Sequence, residues 1–242
     1  TFTGKPLDKG GLRGRDEATG RGAFFIMEEA FKIHNVSKNA RIAVQGFGNV
    51  GMHLARILYE NGYKIVAVSD SKGGIYNSKG LNINEVMKIK NSGKSVQDYP
   101  DAEKITNEQL LECECDVLVP AALDNQLHKG NADKIKAKYV FEAANNPTTE
   151  EADQILNSRG IHVFPDILVN GGGVSGSYIE WMQNLENAVY EYDDVVQRLK
   201  QIMSKAFASV IDEKKRDPSI SYREAAYRAS IRRLVNAMKE KF

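Results

Sequence analysis

Cysteine is nearly absent from the 242 residues, which hold only Cys113 and Cys115. Two thiols one residue apart are too few for a disulfide scaffold or a tetrahedral zinc site, and they could close only a very small ring. Reduced thiols and a cytoplasmic setting are therefore expected. Net charge is lacking too: 33 Lys plus Arg against 32 Asp plus Glu leave +1. No global field exists to recruit nucleic acid or an anionic membrane, so neither is expected as a partner. Apolar runs are short. Ala23-Phe24-Phe25-Ile26-Met27 falls far below the ~20 residues of a membrane span, and no signal-peptide core opens the chain. The histidines, His34, His53, His128 and His162, lie far apart in no metal-ligand spacing, so no metal site is expected and they read as surface or satisfied core residues. The absence of a G-x-S-x-G elbow and of a phosphate-binding P-loop leaves hydrolase and nucleoside-triphosphatase readings without support. The first residue is Thr1 rather than Met, as expected of a processed product or an excised fragment.

What is present suffices for a large core, with 42% hydrophobic residues in a length that fits one large domain or two small ones. Five nearly continuous apolar runs read as strands covered on both faces, and such strands are usually parallel. They are Arg41 to Gln45, Lys64 to Ser69, Asp116 to Val119, Lys138 to Glu142 and Ile161 to Phe164. Helical stretches lie between them. Asn49 to Asn61 ends at Gly62, Glu150 to Ser158 follows a Thr148/Glu151 capping pair, and Thr106 with Gln109 repeats that pattern. Before the first strand Asp16 to His34 reads as a helix with Ala23, Met27 and Ala30 on one face. Gly20 and Gly22 weaken its first turn, so another element should touch that end. After the last strand come Asn170 to Gly173 and two amphipathic helices, Asp193 to Lys214 and Tyr222 to Lys241. The fold class is therefore α/β: a doubly wound, mostly parallel, Rossmann-like sheet with helical extensions at both ends and ligands at the carboxyl ends of the strands.

Charge is unevenly spread. Residues 98–124 carry eight acids and one lysine, a difference of −7, while residues 198–242 carry twelve bases and five acids, a difference of +7. Two solvated faces explain this, as would a helical tail docked on an acidic surface, which raised salt should weaken.

Gly46-Phe47-Gly48-Asn49-Val50-Gly51 matches G-x-G-x-x-G. It follows a strand, opens a helix, and precedes a second strand ending at Asp70. The first glycine permits the tight turn, the second lets backbone approach a pyrophosphate, and the third lets the helix pack on the strand, with its amide dipole facing the anion. Asp70 is suited to accept hydrogen bonds from the adenosine ribose diol, each worth about 1.5–3 kcal/mol. A 2′-phosphate would meet a like charge there, at a cost of about 3 kcal/mol at ~5 Å with an effective dielectric near 20. NAD is thus expected over NADP, although Lys72 could turn toward a 2′-phosphate.

Seven groups of residues, in order from end to end, resemble one family. They are Thr3 to Pro6; Gly14-Arg15 with Ala18 to Gly22; the glycine turn; Ser69 to Tyr76; Pro120-Ala121-Ala122; Ala144-Asn145 with Pro147; and Pro165 to Leu168 with Asn170. Together they are similar to the coenzyme-binding half of the glutamate dehydrogenases, within the wider Glu/Leu/Phe/Val dehydrogenase superfamily. The resemblance implies NAD-linked oxidative deamination of L-glutamate to 2-oxoglutarate and ammonia. It implies one coenzyme-binding domain over residues 1–242, with a Rossmann core at about 35–170 and a helical segment at about 171–242. Carried over, the cofactor contacts are Arg15, Thr19, Gly46, Phe47, Gly48, Asn49, Val50, Gly51, Asp70, Ser71, Ala121, Ala122, Asn145 and Asn170. Ala122 and Asn145 would lie along the nicotinamide half, with Asn170 near the nicotinamide amide and the substrate.

Ser177 matches the serine that meets the distal carboxylate of glutamate, with Ser175 two residues before it as a rival; an apolar side chain would suit leucine or phenylalanine. The family's acid and base, an aspartate and a lysine, come from a preceding domain that nothing here resembles. No catalytic residue is therefore expected in this chain, which should bind NAD yet lack activity alone, its parent being a homo-hexamer. The family's last helix returns to that domain, so Arg223 to Phe242 is expected to be displaced or frayed, or to drive self-association. Read without the resemblance, the chain also fits a stand-alone nucleotide-binding regulatory module or the coenzyme domain of another amino-acid dehydrogenase.

Overall fold

The computed structural model describes residues 2–240, so Lys241, the last residue of the expected final helix, and Phe242 lie outside it. Strands β1 (Arg41–Gln45), β2 (Lys64–Asp70), β5 (Val117–Pro120), β6 (Tyr139–Phe141) and β7 (His162–Phe164) correspond to the five expected runs. They form the parallel part of a seven-stranded sheet of order β4-β3-β2-β1-β5-β6-β7. The antiparallel edge, β3 (Gly73–Tyr76) and β4 (Glu103–Ile105), was not among the expected strands. Its first strand opens with two glycines and its second is short and charged, so neither carries the apolar run that marks a central strand. The sheet is thus doubly wound and mostly parallel, as expected.

Alternating side chains feed two cores, one on each face. Ile42, Val44, Val117, Val119, Phe141 and Phe164 face one, while Ala43, Leu118, Val140 and Val163 face the other. The alternation slips once. The register passes from Ile42↔Ile65 to Ala43↔Ala67, leaving Val66 as the extra residue of a bulge in β2. Burying each Ile, Leu or Phe contributes about 1.5–3 kcal/mol, and many of these side chains are fully enclosed.

On the first face lie α1 (Ala18–His34), α2 (Asn49–Glu60), α7 (Gly172–Leu185) and α8 (Tyr192–Arg216). The glycines of α1 explain themselves here. A side chain at Gly22 would meet the Cα of Gly172 at 2.5 Å, and one at Gly20 the backbone of Leu54 at 2.9 Å, so α1 crosses α7 and α2 at backbone contact. Buried Glu17, just before α1, ties the same crossing by ion pairs to Arg21 and Arg56. Helix α3 (Ile83–Asn91) packs against α2; α4 (Asn107–Leu111) and α5 (Glu150–Ser158) belong to the opposite face. The Thr106/Gln109 capping box forms. At α5 the cap is Thr149, not Thr148: the Thr149 hydroxyl accepts from the Ala152 amide, and Thr148 is buried.

The last helix, α9 (Tyr222–Lys239), is helical to its end. Its first turns are docked, with Tyr222, Ala225 and Ala226 buried, while Tyr227, Ile231, Leu234, Val235 and Met238 expose an apolar stripe. Among the described residues no ion pair joins the basic tail to the acidic 98–124 stretch of the same chain: those acids pair with Arg41, Lys134 and Lys136, and Arg223 and Arg232 pair with acids elsewhere. The histidines are not all apart either: β7 brings His162 to within 4.7 Å of the His34 ring, among Tyr139, Phe164 and Tyr222. No described helix is long and apolar enough to cross a membrane.

Candidate functional site

Gln45 pairs with Ser69 on one side and with Pro120 on the other. Three strands therefore end level, and the residues that follow them, in Gly46 to Gly51, at Asp70 and in Ala121-Ala122, share one rim. Strand order reverses between β1 and β5, which is the topological switch point where open α/β sheets bind ligands.

The three glycines of the turn occupy three different situations. Gly46 has φ +93°, and a side chain on it would strike the Ala121 and Ala122 backbone at 2.9 Å. At Gly51 a Cβ would lie 1.9 Å from the Gly46 carbonyl, so α2 is pressed onto the turn. Gly48 is different: nothing lies within 4 Å of where its Cβ would be. The open space stands in front of the N-terminus of the twelve-residue α2, where unpaired amides and the helix dipole favour an anion. The Phe47 ring is buried in the core, so only its backbone is left to face the turn.

Beyond the turn a cleft of about 850 Å³ opens over the ends of β5 and β6, lined by Thr19, Val50, Ala121, Ala122, Leu123, Asp124, Ala143, Ala144, Asn145, Asn146, Asn170 and Val174. Six expected contacts converge here: Thr19, Val50, Ala121, Ala122, Asn145 and Asn170. Asn170, which follows α6 (Asp166–Val169), donates to the Asn145 side chain at 2.7 Å. Asn49 is exposed on α2 and spends its amide on the Asp16 carbonyl at 2.7 Å. Among the described residues of the lining Asp124 is the sole ionisable side chain.

Asp70 and Ser71 lie outside this cleft, at the β2 end of the rim. The Asp70 carboxylate is not free. Lys90 Nζ (2.7 Å) and the Val96 amide (3.0 Å) donate to one oxygen, and the Lys72 amide (2.9 Å) and Ser95 hydroxyl (3.1 Å) to the other. Burial pushes its pKa up, but these donors, Lys90 foremost, outweigh that and hold it below the ordinary carboxylate range. Ser71 and Lys72 are exposed. The sequence carried one sign of this support, the S-x-x-D box Ser95 to Asp98, which forms and turns the Ser95 region toward Asp70.

Arg15 and Ser177 form a second group at the α7 wall. The Arg15 guanidinium donates to the Ser177 hydroxyl at 2.8 Å. Ser175 turns inward against Met203 and is buried, so of the two serines only Ser177 joins this group. Nearby, buried Glu180 takes Lys5 Nζ at 2.8 Å and the Gly4 amide at 2.7 Å, closing the N-terminal segment onto α7. No group of three or more His, Cys, Asp or Glu residues with metal-holding geometry occurs among the described residues.

Comparison with known proteins gives the family and the fold relatives of the chain. Residues 10–241 match the family profile described as Glutamate/Leucine/Phenylalanine/Valine dehydrogenase. A glutamate dehydrogenase of Thermotoga maritima is 48% identical over 241 residues, and an NADP-specific glutamate dehydrogenase of Synechocystis 45% identical over 249; each alignment covers 99% of this chain and 58% of the relative. The chain thus spans a little over half the length of these relatives. Among solved structures, the hetero-hexameric glutamate dehydrogenase of Thermus thermophilus in its leucine-bound form superposes with a TM-score of 0.90 at 32% identity, covering 99% of this chain and 57% of that one. The glutamate dehydrogenase of Peptoniphilus asaccharolyticus gives 0.85 at 36% identity over the same shares.

Proposed function

The chain belongs to the glutamate/leucine/phenylalanine/valine dehydrogenase family, and we propose that it is the coenzyme-binding part of a glutamate dehydrogenase, holding NAD across the β1/β5 switch point. One observation carries the reading: the turn is closed to side chains at Gly46 and Gly51 yet open at Gly48, directly before the α2 N-terminus. That is a cradle for a pyrophosphate, whose charge the α2 amides would meet without any side chain. Exposed Ser71 then serves the adenosine ribose, and Asp70 joins it by exchanging one of the donors that now fill its carboxylate for a ribose hydroxyl. Thr19, Ala121, Ala122, Asn145 and Asn170 line the space left for the nicotinamide, where small alanines admit the ring and the amides can donate or accept. Bound there, the nicotinamide would supply the hydride chemistry; the chain would bind it, orient it and shield one face.

Arg15 and Ser177 suit a carboxylate better than a coenzyme. A guanidinium and a hydroxyl already 2.8 Å apart offer a charged donor and a rotatable one to the distal carboxylate of glutamate or 2-oxoglutarate. An apolar substrate would leave both unmatched. The cleft lining itself holds no lysine or histidine to act on the α-amino group. This chain alone should therefore bind coenzyme without turning over glutamate, activity requiring the remainder of a parent that assembles as a hexamer.

The preference for NAD is smaller than an isolated Asp70 would give, because Lys90 already offsets its charge and would attract a 2′-phosphate. Calorimetric titration with NADH and NADPH tests the reading: NADH should bind at one site and more tightly. Absence of binding by both to a folded sample would refute it.

A further inference from the structure

The nicotinamide side of the cleft has walls that are short turns rather than regular structure, and something must fix them. Asn146 sits at φ +46°, a left-handed conformation uncommon outside glycine, and its carbonyl accepts from the amide of Asn125, itself at φ +52°. The Asn146 amide donates to one Asp166 oxygen at 2.8 Å, and the Asp166 amide donates to Glu142 at 2.9 Å. The turn after β6 and the start of α6, which lead to Asn145 and Asn170, are thus held by two carboxylates. Glu142 is fully buried.

Both carboxylates converge on one cation from far along the chain. Arg223, the second residue of α9, donates to Glu142 at 2.6 Å and to Asp153 at 3.2 Å, and lies 3.7 Å from Asp166. It is mostly buried, at 22% side-chain exposure, and Tyr222 beside it stacks on Phe164 at 4.3 Å. Three acids around one planar fork need the guanidinium for charge and for geometry alike. A lysine would supply the charge but could not span the three.

We propose that Arg223 is a positioning residue for the nicotinamide half of the coenzyme site, acting through Glu142 and Asp166 on the turn carrying Asn145 and on Asn170, so that docking of α9 sets the shape of the cleft. The inference rests on the coenzyme reading above, and it separates the two halves of the ligand. The pyrophosphate turn and Asp70 share no hydrogen bond with the Arg223 cluster among the described residues, so ligands confined to them should not sense Arg223.

The test is calorimetry of the chain and its Arg223→Lys variant with NADH and with ADP-ribose, which lacks nicotinamide, alongside melting curves. Asp166→Asn is measured in parallel, because it cuts the same linkage should the lysine variant fold poorly. The expected result is NADH weakened about five- to tenfold with ADP-ribose within about twofold of the parent. Equal weakening of both ligands, or none, overturns the positioning role while leaving the coenzyme reading intact. A parent chain that binds neither ligand overturns both.

Discussion

The two halves of the cleft rim are built by different means. On the side proposed for the pyrophosphate and adenosine, the turn itself is backbone: six consecutive residues, Gly46 to Gly51, set between a strand and a helix, with their shape dictated by what a Cβ would hit. On the side proposed for the nicotinamide it is side chains on turns, held by Glu142, Asp166 and an arginine 81 residues from Glu142 in sequence. The first half is rigid because its chain has few alternatives. The second is rigid only while long-range ion pairs persist, so it should be more sensitive to sequence, salt and pH.

The sharpest way to break this contrast is at the turn. Gly51→Ala puts a methyl 1.9 Å from the Gly46 carbonyl, and it should cost about 3 kcal/mol or more in urea unfolding while abolishing measurable NADH binding. A variant of parental stability would mean that the turn yields easily. Glu142→Ala removes a buried acceptor from both Arg223 and the Asp166 amide, and should cost about 2–4 kcal/mol. Hydrogen exchange should accelerate across 142–147 and α6 but not across Gly46 to Gly51; uniform acceleration would erase the distinction between the halves.

Lys90→Gln tests the adenosine side alone. With its charge gone, Asp70 should repel a 2′-phosphate more strongly, weakening NADPH about tenfold with NADH within about threefold. An unchanged ratio would remove Lys90 from coenzyme choice. The smallest effect concerns pH beneath α9. Burial holds both His34 and His162 below the ordinary histidine range, helped by each other's proximity at His34 and by Lys214 at His162. With folded pKa values depressed, their contribution is complete above about pH 6.5, the unfolded value, and is lost as pH falls below it. A shallow drop in melting temperature between pH 7 and 5 is expected, flattened in His162→Asn; an identical slope in that variant would put the effect elsewhere.

The same contrast decides what could be read from residues alone. β1 and the glycine turn were legible because their instructions are contiguous: an apolar run, three spaced glycines, an acid at the next strand end. The burial of the Phe47 ring was not legible, because a glycine pattern fixes backbone and not which way a ring turns. Asp70 was identified, but not its saturation by Lys90 and Ser95, which arrive from a later helix and turn. The β3–β4 edge escaped because its glycines and charges lack a buried run, and the pairing of His34 with His162 because only the sheet brings them together. Arg223 left no local sign at all; its meaning lies wholly in three acids that folding delivers to it.

Gly48 offers the most direct test of the central claim, because a Cβ there has nothing within 4 Å in the protein and a side chain would project toward the proposed pyrophosphate. Gly48→Val should melt within a few degrees of the parent yet lose NADH affinity by about a hundredfold or more in calorimetric titration. Parental affinity in a folded Gly48→Val chain would contradict the placement of the dinucleotide on this turn.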